Sequence, residues 1–396
     1  MKWLDRLLEK RTSSRDPYLM EMMGLRENAS GQYVSEETAT GIPAVHACVQ
    51  LIAETIASLP LAPYKRLSDG SKEVDYNHPL YTVLHDQANK AQTAFEFREQ
   101  FISSCLLTGN GYALKVHNSN GQLEQLIPLH PQHVEVEQLE NGRLRYKVKT
   151  EKGTKTYIQD EILHLKYRSN DGIKGLSPIT IARETIAIAQ AQQQHEGKFY
   201  KNGATLSGAL RHPNKLTEEQ MGNLKTSFAQ TYGGAGNAWK TIVLEEGMEF
   251  QPISMNHEDA QFIESKKMTL EDVARIYRVP PPAIGILDNA TYSNITEQSR
   301  HLVMYCLRPW LVRIEQALCA SLLDIQGQSM YMIEHNAEGL LRGDIKTRYE
   351  AYRIGREWGW LSPNEIRGQE NMGSIEHGDS YLKPMNAEPL GADPKL

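Results

Sequence analysis

Few side chains in this sequence are spaced to do chemistry, and each grouping is best read as structure. His130 and His133 lie three positions apart, as zinc ligands often do, but Pro131 sets a turn between them and neither a cysteine pair nor a third ligand follows. The metal reading therefore yields to a turn at a strand edge. Gly233, Gly234 and Gly236 form a glycine-rich run, yet it follows a helix-like segment and lacks the Gly-Lys-Ser/Thr ending of a phosphate loop. A helix stop with a flexible joint accounts for it better. Cys306, Cys319 and His301 would supply a thiol nucleophile and a base, but the cysteines fall within or beside an apolar helical stripe, where they pack. Neither a Gly-x-Ser-x-Gly elbow nor a His-Glu-x-x-His pair occurs. No catalytic, metal or cofactor site assembles, so the chain reads as a non-enzyme that needs no cofactor.

The elements carrying these residues belong to an ordinary globular protein. Its 396 residues suit two or three domains, and 40% apolar content is enough to bury a core in each. No run approaches the apolar length of a membrane span, and the amphipathic start from Met1 to Arg11 carries charges throughout, unlike a secretory signal. The four cysteines lack CxxC spacing and read as buried, reduced thiols of an intracellular protein. With 43 basic against 49 acidic side chains the net charge is −6, which disfavours tight phosphate gripping. It leaves open a protein past which nucleic acid slips.

Residues 12–41 are polar and aperiodic and read as an arm. Val45, Val49, Ile52 and Ile56 then recur at helical spacing between Pro43 and Pro60, and Thr93 with Glu96 opens a second helix as a capping box. From Tyr112 to about Leu165 the period drops to two, predicting an antiparallel meander with one wet face. Ser177-Pro178 starts a further helix running to about Lys198, and Thr217 with Gln220 another, to about Tyr232. Segments 239–244 and 248–253 predict a small hairpin around Glu246-Gly247. A long polar helix follows from His257 to Val279, stopped by Pro280, Pro281 and Pro282, with an aperiodic loop over Ala283–Ser293. Asn294 with Glu297 opens the longest apolar-faced helix, its stripe being Val303, Leu307, Trp310, Ile314 and Leu318. Pro309 inside that stripe predicts a kink. Near the C-terminus come a helix from about Asp344, a turn at Gly359 and a capping box at Ser362–Glu365.

The helices over Thr217–Tyr232 and His257–Val279 are the unusual feature. The second has too narrow an apolar stripe in its first half for burial inside a monomer. It is either a solvent-bridging helix or one packed sideways on identical copies around a wet channel. Lys266 and Lys267 then either form an inward basic ring or pair with Glu264 or Glu271. Trp239 and Phe250 either meet a partner, beside Lys240, or pack on each other.

Several ordered runs resemble the portal proteins of long-tailed double-stranded-DNA bacteriophages. They are Leu176-Ser-Pro178, Phe199-Tyr-Lys-Asn-Gly-Ala204, Leu244-Glu-Glu-Gly-Met248, Val273-Ala-Arg-Ile-Tyr-Arg-Val-Pro-Pro281, Gly343-Asp344 and Gly359-Trp-Leu-Ser-Pro-Asn-Glu365. The resemblance implies an α+β portal fold with the following parts: an arm (1–41), a helical and β-meander wing (42–215), stem helices (216–232 and 257–279), a clip (233–256), a tunnel loop (280–294), a long kinked helix returning to the wing (295–340) and a short crown (341–396). It further implies a homo-oligomeric ring, usually a dodecamer, at one capsid vertex of the virion, assembled in the host cytoplasm. Double-stranded DNA would pass through it without sequence specificity, touching Asn289, Thr291, Tyr292, Ser293 and Asn294 weakly. Implied partners are the terminase large subunit, the head–tail adaptor, the major capsid protein and scaffold, with no membrane. The competing readings are another phage ring component, such as a tail adaptor or baseplate protein, and a packaging ATPase or protease.

Overall fold

The computed structural model describes residues 30, 32–201, 208–211, 217–232, 248–252, 258–287, 292–337, 345–370 and 372–382. The chain divides into two compact units, Met1–His335 and Asn336–Leu396.

The larger unit opens with α1 (Glu36–Thr40), capped by Ser35, and α2 (Pro43–Ser58), in which Pro43 occupies the first turn. The helical spacing read from the sequence buries Val45, Val49, Ile52 and Ile56 on one face of α2. Strands β1 (Leu61–Arg66) and β2 (Lys72–Val74) follow, then a π-helical turn at Thr82–Asp86. Helix α3 (Ala94–Thr108) starts on the Thr93–Glu96 capping box and ends at Gly109, whose φ of 80° suits glycine.

The period-two region forms β3 (Asn110–His117), β4 (Leu123–Leu129), β5 (Val134–Gln138), β6 (Leu144–Thr150), β7 (Gly153–Ile158) and β8 (Ile162–Lys166). These do not make one meander. They form two antiparallel sheets, ordered β4-β3-β8 and β5-β6-β7, because β8 returns to pair with β3 (Tyr112 opposite His164) instead of extending from β7. The shared core explains the split: Tyr112 and Ile162 from one sheet cluster with Val134, Val136, Tyr146 and Val148 from the other. The alternation leaves Glu135 and Lys149 exposed, as a wet face requires.

Next come α4 (Pro178–Ile181) and α5 (Arg183–Lys201). What the sequence presents as one helix breaks at Ala182, whose backbone (φ −100°, ψ 26°) leaves the helical region. Then follow β9 (Gly208–Arg211), α6 (Glu218–Tyr232), β10 (Glu249–Pro252) and α7 (Glu258–Tyr277). After a 3-10 turn at Pro281–Ile284, α8 (Tyr292–His301) passes through a π-helical stretch, Leu302–Leu307, into α9 (Arg308–Leu322). Helix α10 (Ile325–Met330) and strand β11 (Tyr331–His335) close the unit, with β11 antiparallel to β1 in the order β11-β1-β2.

The smaller unit contains α11 (Ile345–Glu357) and α12 (Pro363–Gln369). Ser362 and Glu365 make the expected capping box, and Gly359 takes φ 75° at the expected turn. Asn364 ties α12 to the following turn: its Oδ1 accepts from Ile375 N at 2.8 Å, and its amide donates to Asp379 at 2.9 Å.

Candidate functional site

Side chains that could react are held apart or held inert. Cys306 Sγ sits 3.4 Å from the Tyr277 carbonyl, Cys319 Sγ accepts from Ile333 N at 3.2 Å, and His301 is exposed against Tyr305 and Glu297. All four cysteines are free thiols, and burial pushes both Cys48 and Cys306 up to about 12, so neither is a thiolate at neutral pH. His130 and His133 face each other at 5.2 Å between ring centroids, with Gln132 N donating to His130 Nδ1 in a turn. No cluster of three metal-ligating side chains occurs among the described residues. Among them, too, no helix is long and apolar enough to cross a membrane.

The polar groups that are buried act as joints between elements. His164 on β8 lies 3.0 Å from Asn110 Oδ1 through Nε2 and 3.2 Å from the Tyr146 hydroxyl through Nδ1. Asn110 Oδ1 also accepts from Gly175 N at 2.7 Å, so it can only be an acceptor; His164 Nε2 carries the proton and Nδ1 accepts from Tyr146. Burial in this neutral network, next to Lys166 and Lys174, drives His164 down to about 3. Gly175 is required there because a Cβ would meet the Gly109 carbonyl at 1.9 Å. Arg313 on α9 donates to the carbonyls of Lys166 (2.9 Å) and Tyr167 (2.6 Å) while lying over Tyr167 and Trp310. Lys115 Nζ reaches the Ser321 carbonyl at 2.7 Å, placing a cation at the C-terminus of α9. Glu315 Oε1 receives both Nδ1 and the backbone N–H of His335, each at 2.9 Å. Sequence spacing gave no sign of these joints, since their members lie far apart in the chain.

The residues singled out from the sequence fall as follows. Lys266 pairs with Glu196 of α5 at 2.7 Å, a partner that neither sequence reading named, and the neighbouring Gln192 donates to Ser265 Oγ at 3.1 Å. Arg275 pairs with Glu271 at 3.2 Å and also with Asp272. Lys267 is half-buried. The second half of α7 is packed into the unit through Thr269, Val273, Ala274 and Tyr277, whereas Glu264 and Met268 are exposed. Helix α6 has the predicted Thr217–Gln220 cap and no extensive packing partner among the described elements.

Strand β10 is present and its described partner is β9 (Phe250 opposite Leu210), while the expected partner 239–244 lies outside the described residues. Four short strand residues at Gly208–Arg211 carried too little alternation to be legible beforehand. Trp239, Lys240, Asn289 and Thr291 lie outside the described residues, as do the side chains of Phe250, Tyr292, Ser293 and Asn294. The helix expected from Asn294 begins at Tyr292.

Pro309 lies in the first turn of α9, immediately after the π-helical stretch. Its ring would collide with the Tyr305 carbonyl in a regular helix, and it has no N–H to give. The wider turn relieves both: Arg308 N–H bonds back five residues to Val303.

Comparison with known proteins defines the class. Residues 43–371 match the phage portal protein family, and the chain belongs to it. It is 31% identical to the portal protein of Enterobacteria phage HK97 over 90% of this chain and 85% of that one. It is 29% identical to the probable portal protein of Streptomyces phage phiC31, over 93% and 83%. Among solved structures it resembles a chain of the neck of a native gene transfer agent particle computed with C12 symmetry (TM-score 0.59, 25% identity, 85% and 91% covered). The fold also matches an HK97-family phage portal protein from Corynebacterium diphtheriae (TM-score 0.58, 19% identity, 78% and 98% covered). The α+β portal fold follows.

Proposed function

We propose that copies of this chain form a portal ring at one capsid vertex of a virion, built in the host cytoplasm, through which double-stranded DNA is packaged and ejected. The observation that carries this reading is the likeness, over most of both chains, to portal proteins and to a subunit of a twelvefold neck. The ring is a conduit and not an enzyme; the raised thiols of Cys48 and Cys306 fit that role. Residues 42–215 would form the wing, 216–232 and 257–279 the stem, 233–256 the clip, 280–294 the tunnel loop, 295–340 the long helix with its return to the wing, and 341–396 the crown. The clip, with Trp239, Lys240 and Phe250, would meet the terminase large subunit and then the head–tail adaptor, and the wing the capsid protein and scaffold.

The test is direct. Purified protein should sediment and scatter light as a ring of about a dozen copies, and its projection down the axis should show a hole wide enough for a duplex. A stable, compact monomer at micromolar concentration overturns the reading. Loss of adaptor or terminase binding in a Trp239→Ala ring would support the clip assignment, and unchanged affinity would count against it.

A further inference from the structure

Helix α9 and the π-helical stretch before it carry two apolar faces. One is buried in the unit through Cys306, Leu307, Trp310, Ile314 and Leu318. The other is exposed: Met304 at 49%, Tyr305 at 57% and Val312 at 44%, with Arg308 and Pro309 exposed between them. A single exposed apolar side chain means little, but a row along one helix face marks a contact surface. On α7, Met268 is 60% exposed and the exposed carboxylate of Glu264 lies one turn away, a smaller patch of one apolar and one acidic side chain. Arg308 and Glu264 each make no ion pair among the described residues. The two segments differ in sign: α7 holds five carboxylates against three cations, while Tyr292–Leu322 holds three arginines against two glutamates. Both α7 and the Leu302–Leu307 stretch pack on α2, while Met268, Met304, Tyr305 and Val312 stay exposed among the described residues.

Resting on the ring reading above, we infer that the Met304–Tyr305–Arg308–Val312 row of one copy docks on the Glu264–Met268 row of the next. A cyclic ring requires two different, complementary patches per subunit, each engaging the other patch of a neighbour. Met304, Tyr305 and Val312 beside Arg308 on one segment, and Met268 beside Glu264 on the other, supply an apolar contact flanked by opposite charges, which meets that requirement. The occupant of each row is therefore a second copy of this chain.

The geometry can be tested by disabling one row at a time in the full chain. The first variant combines Met304→Ser, Tyr305→Ser, Arg308→Glu and Val312→Ser; the second combines Glu264→Arg and Met268→Arg. Each alone should remain monomeric with an unchanged thermal unfolding profile, since only exposed side chains are altered. Mixed in equal amounts, they should form dimers that grow no further, because each mixed pair retains one intact junction. As a milder check, Arg308→Glu alone should raise the concentration needed for ring assembly by about tenfold, the equivalent of one lost charge-assisted contact, and Glu264→Arg in the same chain should restore it. Wild-type rings from either multiple variant, or a mixture that stays monomeric, overturn the inference and leave the ring reading standing. A monomeric wild-type protein overturns the ring reading itself.

Discussion

At the scale of single residues, buried polar side chains fix where elements meet. His164 shows the consequence most directly. In the folded chain it resists protonation to about 3, while its ordinary value is 6.5, so the unfolded chain holds more protons between those limits. Stability contributed by this group is complete above pH 6.5 and falls as pH drops through the window, by about 1.4 kcal/mol per pH unit. Urea unfolding of His164→Gln should show a lower midpoint at pH 7 and a shallower decline toward pH 5 than wild type. An equal decline in both would remove His164 as the source. Arg313 is a second case: it is half-buried, donates to two carbonyls and lies over two rings, so Arg313→Ala should cost about 2–4 kcal/mol in the same assay. Arg313→Lys should recover less than half, because an ammonium cannot span both carbonyls and stack.

At the scale of elements, Pro309 and the π-helical stretch form one device. The proline lies where the helix has already given up the regular hydrogen bond, so Pro309→Ala should change stability by less than about 1 kcal/mol, against roughly 3 kcal/mol for a proline forced into a regular helix interior. A gain near the larger figure would mean that the proline strains the helix. Helix starts were legible at Thr93, Thr217 and Ser362, because a cap is a local event of four residues, but the Ser35 cap of α1 was not: a five-residue helix is too short to show a period, so the end of the expected arm over 12–41 is in fact helical. The apolar stripe Leu307–Trp310–Ile314–Leu318 was legible for the same reason: its period belongs to one helix. Sheet partnership was not. The pairing of β8 with β3 joins segments some fifty residues apart and is decided by which faces share the Tyr112–Tyr146 core, a fact of packing that no local period records. The break at Ala182 escaped notice because its residue types are ordinary helix formers.

At the scale of the whole molecule, charge and linkage matter most. A dozen copies of a chain of net charge −6 would carry roughly −72, a field that keeps duplex DNA from adhering inside the ring. Assembled rings should accordingly show weak duplex binding at 0.15 M salt, measurable by filter retention. If Lys266 and Lys267 form a basic ring within that field, replacing both with glutamate should reduce retention of packaged DNA. Lys266 already neutralises Glu196 in a half-exposed pair of modest energetic weight, so the fold should survive the change. Unchanged packaging and retention would leave the lysines a purely structural part. His335, the last residue of β11, is gripped twice by Glu315 of α9. A pull on the chain beyond β11 would load the Glu315 carboxylate together with the β11–β1 ladder, so this one side chain serves that strand end as a strain-relief clamp.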